Sequence, residues 1–249
     1  RLRDVVEQQK ISAFGTLRAA AKFRELLLRN MHRKAANSIR KGLEEAPYAF
    51  IVKPEQHDEL VAYKLLKMLM DMGVEVCRSQ REFVADGVTY PRGTYVVFAS
   101  QHCRPYVVSL LRRTFYHLGA FSKYPDNTPV IPYDLSTYTV AEFMGVRVAE
   151  VEKPFEGSFE ALTSIRYPRG GLSDEAPNGW IIDGKVNEGF QVVARLLRRG
   201  AEVHRLQERT AAGAGVYEAG SFYVPKAEGL AGDLDKLAKR HHVKVEAAP

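Results

Sequence analysis

Residues 69–97 recur at 196–224, and this repeat constrains the chain more than any other feature. A shift of 127 positions aligns the two stretches without a gap. Ten of the 29 pairs are identical: Leu69/Leu196, Gly73/Gly200, Glu75/Glu202, Val76/Val203, Arg78/Arg205, Gln80/Gln207, Ala85/Ala212, Tyr90/Tyr217, Gly93/Gly220 and Val97/Val224. Roughly two matches would arise by chance, so the chain carries an internal duplication. The same shift pairs Leu110 with Leu237 and Arg113 with Arg240.

The shared pattern has a physical reading. Val61, Leu65, Met68, Leu69 and Met72 recur at helical spacing and make one apolar stripe. Gly73 stands where a left-handed residue ends a helix cheaply. Val74-Glu-Val-Cys77 alternates like a strand, Asp86-Gly87 predicts a hairpin turn, and Thr94–Ala99 predicts another strand. The second copy repeats this order, with a helix to Arg199, Gly200, a strand over Ala201–His204, a turn at Gly220 and a strand over Ser221–Val224. Tyr48–Val52 is a short apolar run with a counterpart at Gly179–Asp183, followed by a loop three residues shorter.

The expected organisation is a basic N-terminal helical segment over 1–46, a first α/β unit over 47–155, a linker over 156–178 and a second unit over 179–249. The expected fold class is α/β: two duplicated βαβ-type units with a largely parallel sheet or sheets, preceded by a long N-terminal helix. Strands alternating with helices carry that expectation. Whether the units share one sheet is left open by the sequence.

Charge is unevenly placed. Residues 1–46 hold 11 Lys/Arg against 5 Asp/Glu, and the remainder holds 25 of each, so the whole net charge of +6 belongs to the N-terminal segment. Such a segment suits nucleic acid or an acidic membrane, but a solvated or partner-covered helix is the commoner outcome, and no nucleic-acid partner is expected. No apolar run approaches the roughly 20 residues that span a bilayer, so no membrane span is expected. The chain begins at Arg1 inside a charged helix, which suggests an excised fragment. Cys77 and Cys103 leave a disulfide, two free thiols or a buried pair all open.

A search for chemistry returns little. No His-x-x-Glu, His-Glu-x-x-His or Cys-x-x-Cys occurs, and His241-His242, in a basic stretch, are expected in solvent. No phosphate-cradling glycine motif or Gly-x-Ser-x-Gly elbow is present. The best candidates for a ligand cleft are His102, Cys103 and Arg104 at a strand-to-helix junction, with Tyr133 and Asp134 beside Ser136 and Thr137. Cys103 next to His102 could form an activated thiol. The competing readings are a loop or helix cap for 100–104 and a helix N-cap for Asp134 or Ser136.

Several stretches together resemble a known family. They are Tyr48–Val52, Met72–Val76, Tyr90–Val97, Ile131–Thr139 and Met144–Val146. They resemble the region downstream of the catalytic domain in large bacterial zinc carboxypeptidase-like proteins. The helix containing Phe23–Met31 resembles the segment that leaves that catalytic domain. The resemblance covers most of 1–155 and continues in order, more weakly, over 156–249. That family holds zinc with His-x-x-Glu and a later His, and uses a Glu as base; none of these maps onto this chain.

The resemblance therefore implies a non-catalytic accessory module, structural or substrate-presenting, with no active site and no cofactor of its own. Zinc and the action on peptide C-termini would belong to the parent's catalytic domain. That domain would be the partner, packed near the N-terminal helix, with homo-oligomerisation through the same helix as a second use. The family also implies export. The alternative is an independent small-molecule-binding or enzymatic α/β domain, with its site at loops 100–104 and 133–137.

Overall fold

A computed structural model describes residues 1–249 except 115–118, 120, 121, 132–138, 174, 175 and 214. The chain opens with two helices, α1 (Leu2–Lys22) and α2 (Arg24–Glu44), separated only by Phe23. The first unit follows as β1 (Ala49–Val52), α3 (Glu59–Asp71), β2 (Cys77–Ser79), β3 (Phe83–Ala85), β4 (Val88–Tyr90), β5 (Tyr95–Phe98), α4 (Arg104–Leu111), α5 (Val140–Phe143) and β6 (Val148–Val151). Between the units lie β7 (Phe159–Ala161) and β8 (Gly171–Leu172). The second unit is β9 (Gly179–Ile182), α6 (Asn187–Arg198), β10 (His204–Arg205), β11 (Thr210–Ala212), β12 (Gly215–Tyr217), β13 (Phe222–Pro225), α7 (Leu230–Arg240) and β14 (Lys244–Ala247).

The largely parallel arrangement expected from the sequence is overturned. Each unit has its own sheet, ordered β6-β1-β5-β2-β7 and β10-β13-β9-β14-β8. Every pairing among the described residues is antiparallel except β14 with β8. The helix α3 does carry the chain from β1 to a strand running the same way, β2. However, β5 inserts between them and runs against both. This is the split βαβ of the ferredoxin-like β-α-β-β-α-β motif. The second unit repeats it, with β13 between β9 and β10.

Each sheet is covered on both faces. In the first unit Phe50, Val52, Val76 and Val97 pack with Leu65, Leu66 and Leu69 of α3 and with Val107 of α4. Truncating one of these fully buried leucines to Ala would cost about 2–5 kcal/mol. On the opposite face Ile51 and Val96 meet the hairpin β3–β4 through Phe83, Ala85 and Tyr90. The hairpin of the second unit, β11–β12, brings Ala212 and Tyr217 onto Ile181 in the same way. This explains the identical alanines and tyrosines of the repeat.

The repeated Arg and Gly also have one job. In each copy the glycine takes a left-handed conformation, with φ of +90° at Gly93 and +91° at Gly220. Its carbonyl accepts from the repeated arginine, Arg78 in one copy and Arg205 in the other. The guanidinium then lies over the aromatic ring that follows, Tyr95 or Phe222.

The units meet along α3 and α6. Leu60 is counted in the core of the second unit, and Tyr63 touches both cores. The N-terminal helices do not join either core. No residue of α1 is buried, and α2 buries only Gly42. Among the described residues no helix is long and apolar enough to cross a membrane.

Candidate functional site

The junction after β5 is built from hydrogen bonds that hold backbone. Gln101 Oε1 accepts the Glu75 N–H at 2.7 Å, and its Nε2 donates to the carbonyls of Glu75 at 2.9 Å and Phe98 at 2.8 Å. Arg104 Nη2 donates to the Ala46 carbonyl at 3.0 Å and more weakly to that of Glu45 at 3.4 Å. Those carbonyls lie just past α2, so Arg104 satisfies groups that a helix end leaves exposed. Gly42 of α2 sits directly on the same junction. A Cβ there would come within 2.3 Å of the Ala99 carbonyl and the Ser100 nitrogen.

Cys103 occupies the N-cap position of α4 and is half-buried. Burial pushes its thiol above the usual range. An activated cysteine needs the opposite shift, from a cation or a helix N-terminus. His102 is exposed, and no hydrogen bond joins it to Cys103 among the described residues. Cys77 is buried, and burial followed by the Glu75 carboxylate pushes it to about 11. Both cysteines are free thiols. Tyr133 and Asp134, with the rest of 133–137, lie outside the described residues; of the five candidates, the structure describes the consecutive His102, Cys103 and Arg104.

A concavity lies between the two units. A cleft of about 350 Å³ is framed by His57 and Glu59 at the start of α3, Asp183 and Lys185 ahead of α6, and Tyr217 and His242. Burial, then the charges of Glu246 and Asp183, push the Tyr217 phenol to about 12, so it stays neutral and can donate. The cleft is polar and mixed in charge, suited to holding water or a small polar solute.

The two adjacent histidines, expected in solvent, are half-buried instead. They end α7, and the backbone closes tightly over Gly170, where a Cβ would meet the Ala238 carbonyl at 2.2 Å. His241 Nδ1 stands 3.0 Å from the Glu188 carboxylate. His242 Nδ1 stands 3.1 Å from the Pro168 carbonyl, and its ring stacks on Tyr167 with centroids 4.9 Å apart. No group of three or more His, Cys, Asp or Glu that could hold a metal occurs among the described residues.

Sequence reasoning missed Asp58, which ties together the starts of α3 and α6. Its Oδ1 accepts the N–H of Leu60 at 2.9 Å and of Val61 at 3.3 Å, capping α3. Its Oδ2 accepts the Asn187 N–H at 2.8 Å, capping α6 as well. An Asp immediately before a helical stripe is a legible cap signal. Its reach to Asn187 has no signal in a linear sequence. No protein-family model matches this chain, and neither a curated protein nor a solved structure matches it.

Proposed function

We propose that this chain is a non-catalytic accessory module of a zinc carboxypeptidase-like protein, which docks onto a catalytic domain through its N-terminal helices. One observation carries the reading. The helices α1 and α2 present Val6, Phe14 and Leu17, then Leu27, Leu28 and Met31, all to solvent. On α2 this stripe continues into Ala35, Ser38 and Gly42, the side that reaches the body of the protein. Roughly 25 cal/mol per Å² of such surface is gained when a partner covers it. Soluble monomers seldom leave so long an apolar stripe open, so it reads as an interface.

The basic residues of the two helices flank this stripe and favour a partner with an acidic rim. The junction at 100–104 supports the reading from the other side, because Arg104 is spent on fixing the end of α2 to the body, and Gln101 on holding the backbone of Glu75 and Phe98 beside it. In such a module the two sheets would orient the helices and help present the substrate, with zinc and the peptide-cleaving groups on the catalytic domain.

Two measurements test this. The purified chain, incubated with zinc, is expected to show no release of C-terminal amino acids from peptides and no stoichiometric metal by mass spectrometry. One bound zinc with turnover would overturn the proposal. A separately produced zinc carboxypeptidase-like catalytic domain is expected to co-elute with the chain, and not with the Leu28→Asp/Met31→Asp variant. Equal co-elution of both would remove the helices from the interface.

A further inference from the structure

The stretch between the units donates one extra strand to each sheet, at non-equivalent edges. β7 lies along β2 in the first sheet, and β8 lies along β14 in the second. As a result β10, the counterpart of β2, ends its sheet with one side unpaired among the described residues.

The covered edge shows how a strand binds there. β7 runs antiparallel to β2, with Arg78 opposite Glu160 and Ser79 opposite Phe159. The Gln80 N–H donates to the Ser158 carbonyl at 2.8 Å, and the Leu162 N–H donates to the Val76 carbonyl at 2.9 Å. Ser79 turns the other way, donating to Thr94 of the neighbouring segment at 2.9 Å. Val76, Arg78 and Gln80 therefore face β7, because main-chain groups of an antiparallel strand alternate in direction.

Their counterparts on the open edge are Val203, Arg205 and Gln207, and all three are identical to the first copy. Leu206, like Ser79, faces inward and donates to Ser221 at 2.8 Å. The Val203 carbonyl and the Gln207 N–H meet no hydrogen-bond partner among the described residues. Side chains report the same vacancy: Val76 is fully buried, whereas Val203 is half-exposed and His204, opposite in rank to buried Cys77, is exposed. Arg205 keeps the posture of Arg78, but among the described residues no strand lies on its outer side to set an acidic residue across from it, as Glu160 stands across from Arg78.

We infer that the open edge of β10 binds an extended peptide as an added antiparallel strand. The peptide would carry an acidic side chain opposite Arg205 and apolar side chains on either side of it, as Phe159-Glu-Ala-Leu162 does on β2. The edge is set by the fold, so it would bind such a peptide whether or not the chain serves a carboxypeptidase-like protein.

The test uses the full chain and a fluorescent synthetic peptide with the sequence of residues 155–165. Saturable binding is expected, with slowed amide hydrogen exchange at 203–207. N-methylation of the peptide leucine removes the donor to Val203 without altering the protein. It should weaken binding by at least about tenfold, the worth of one backbone hydrogen bond with its desolvation. Arg205→Glu should weaken the native peptide and restore binding to one with Lys in place of the central Glu. Absence of binding, or binding indifferent to N-methylation, would overturn the assignment. Exchange protection confined to 76–80 would mean displacement of β7, and peptide-free protection at 203–207 in a dimer would mean that a second copy takes the edge; either overturns it.

Discussion

The carboxylate of Asp58 accepts the main-chain N–H of Asn187 at 2.8 Å, across 129 positions of sequence. The same carboxylate caps its own helix through Leu60 and Val61. One buried side chain therefore closes the first turn of α3 and of α6 and joins the two units at their contact.

Asp58→Ala should destabilise the chain by about 2–4 kcal/mol, since two helix caps of about 1–2 kcal/mol each are lost and buried donors are left unpaired. Asp58→Asn should lose roughly half as much, because the amide oxygen can still serve one helix. Chemical denaturation followed by circular dichroism measures both. Equal stability of the Ala variant and the parent would show that the shared cap carries no weight.

Gly42 and Gly15 make a matched pair on the N-terminal helices. A Cβ on Gly42 collides with the Ala99 carbonyl, whereas one on Gly15 meets nothing within 4 Å. Gly42→Ala should lift the end of α2 from the junction, at a cost of about 1–3 kcal/mol, and expose the 44–47 backbone to proteolysis. Gly15→Ala should instead raise helix stability by about 0.5–1 kcal/mol. Thermal melts and limited proteolysis of the two variants separate these outcomes.

The apolar stripe on α2 should drive self-association when no other partner is present. Leu28 and Met31 are 64% and 67% exposed, so Leu28→Asp/Met31→Asp should leave the fold intact. Sedimentation at rising concentration should show association in the parent and a shift to monomer in the variant, with unchanged melting temperature. A monomeric parent at all concentrations would contradict this.

Alkaline conditions should unfold the chain. Burial first, then the neighbouring Tyr95, pushes Tyr63 from 10.0 to about 12; burial does the same to Tyr217, and Cys77 rises from 9.0 to about 11. Each group ionises more readily unfolded than folded, so its contribution is intact below the unfolded value and is lost as pH climbs toward the folded one. The denaturant midpoint should fall between about pH 9 and 12. Tyr217→Phe should flatten that fall, and alkylation of Cys77 should be far slower than that of a peptide thiol at pH 8.

Local pieces were legible in the residues. The stripe through Leu65 and Leu69 reads as a helix, and both side chains are fully buried. Asp86-Gly87 reads as a hairpin turn and joins β3 to β4. The candidate cleft was less legible. Arg104 is polar and stands at a strand end, which suits a ligand, but its guanidinium bonds the end of α2, a helix distant in sequence. His241 and His242 look solvated in a basic stretch, yet α7 and the 167–170 segment close over them.

By itself the sequence determined where the chain turns and which faces are apolar, because backbone conformation at Gly73, Gly93 and their copies and the spacing of apolar residues are local properties. Only the tertiary structure decided strand direction. A helix linking β1 to β2 makes them run the same way, and nothing local says whether they become neighbours. Insertion of β5 between them, with its hydrogen bonds to both, turned an expected parallel sheet into an antiparallel one. The same three-dimensional choice sent β7 to one sheet edge and left the edge of β10 open.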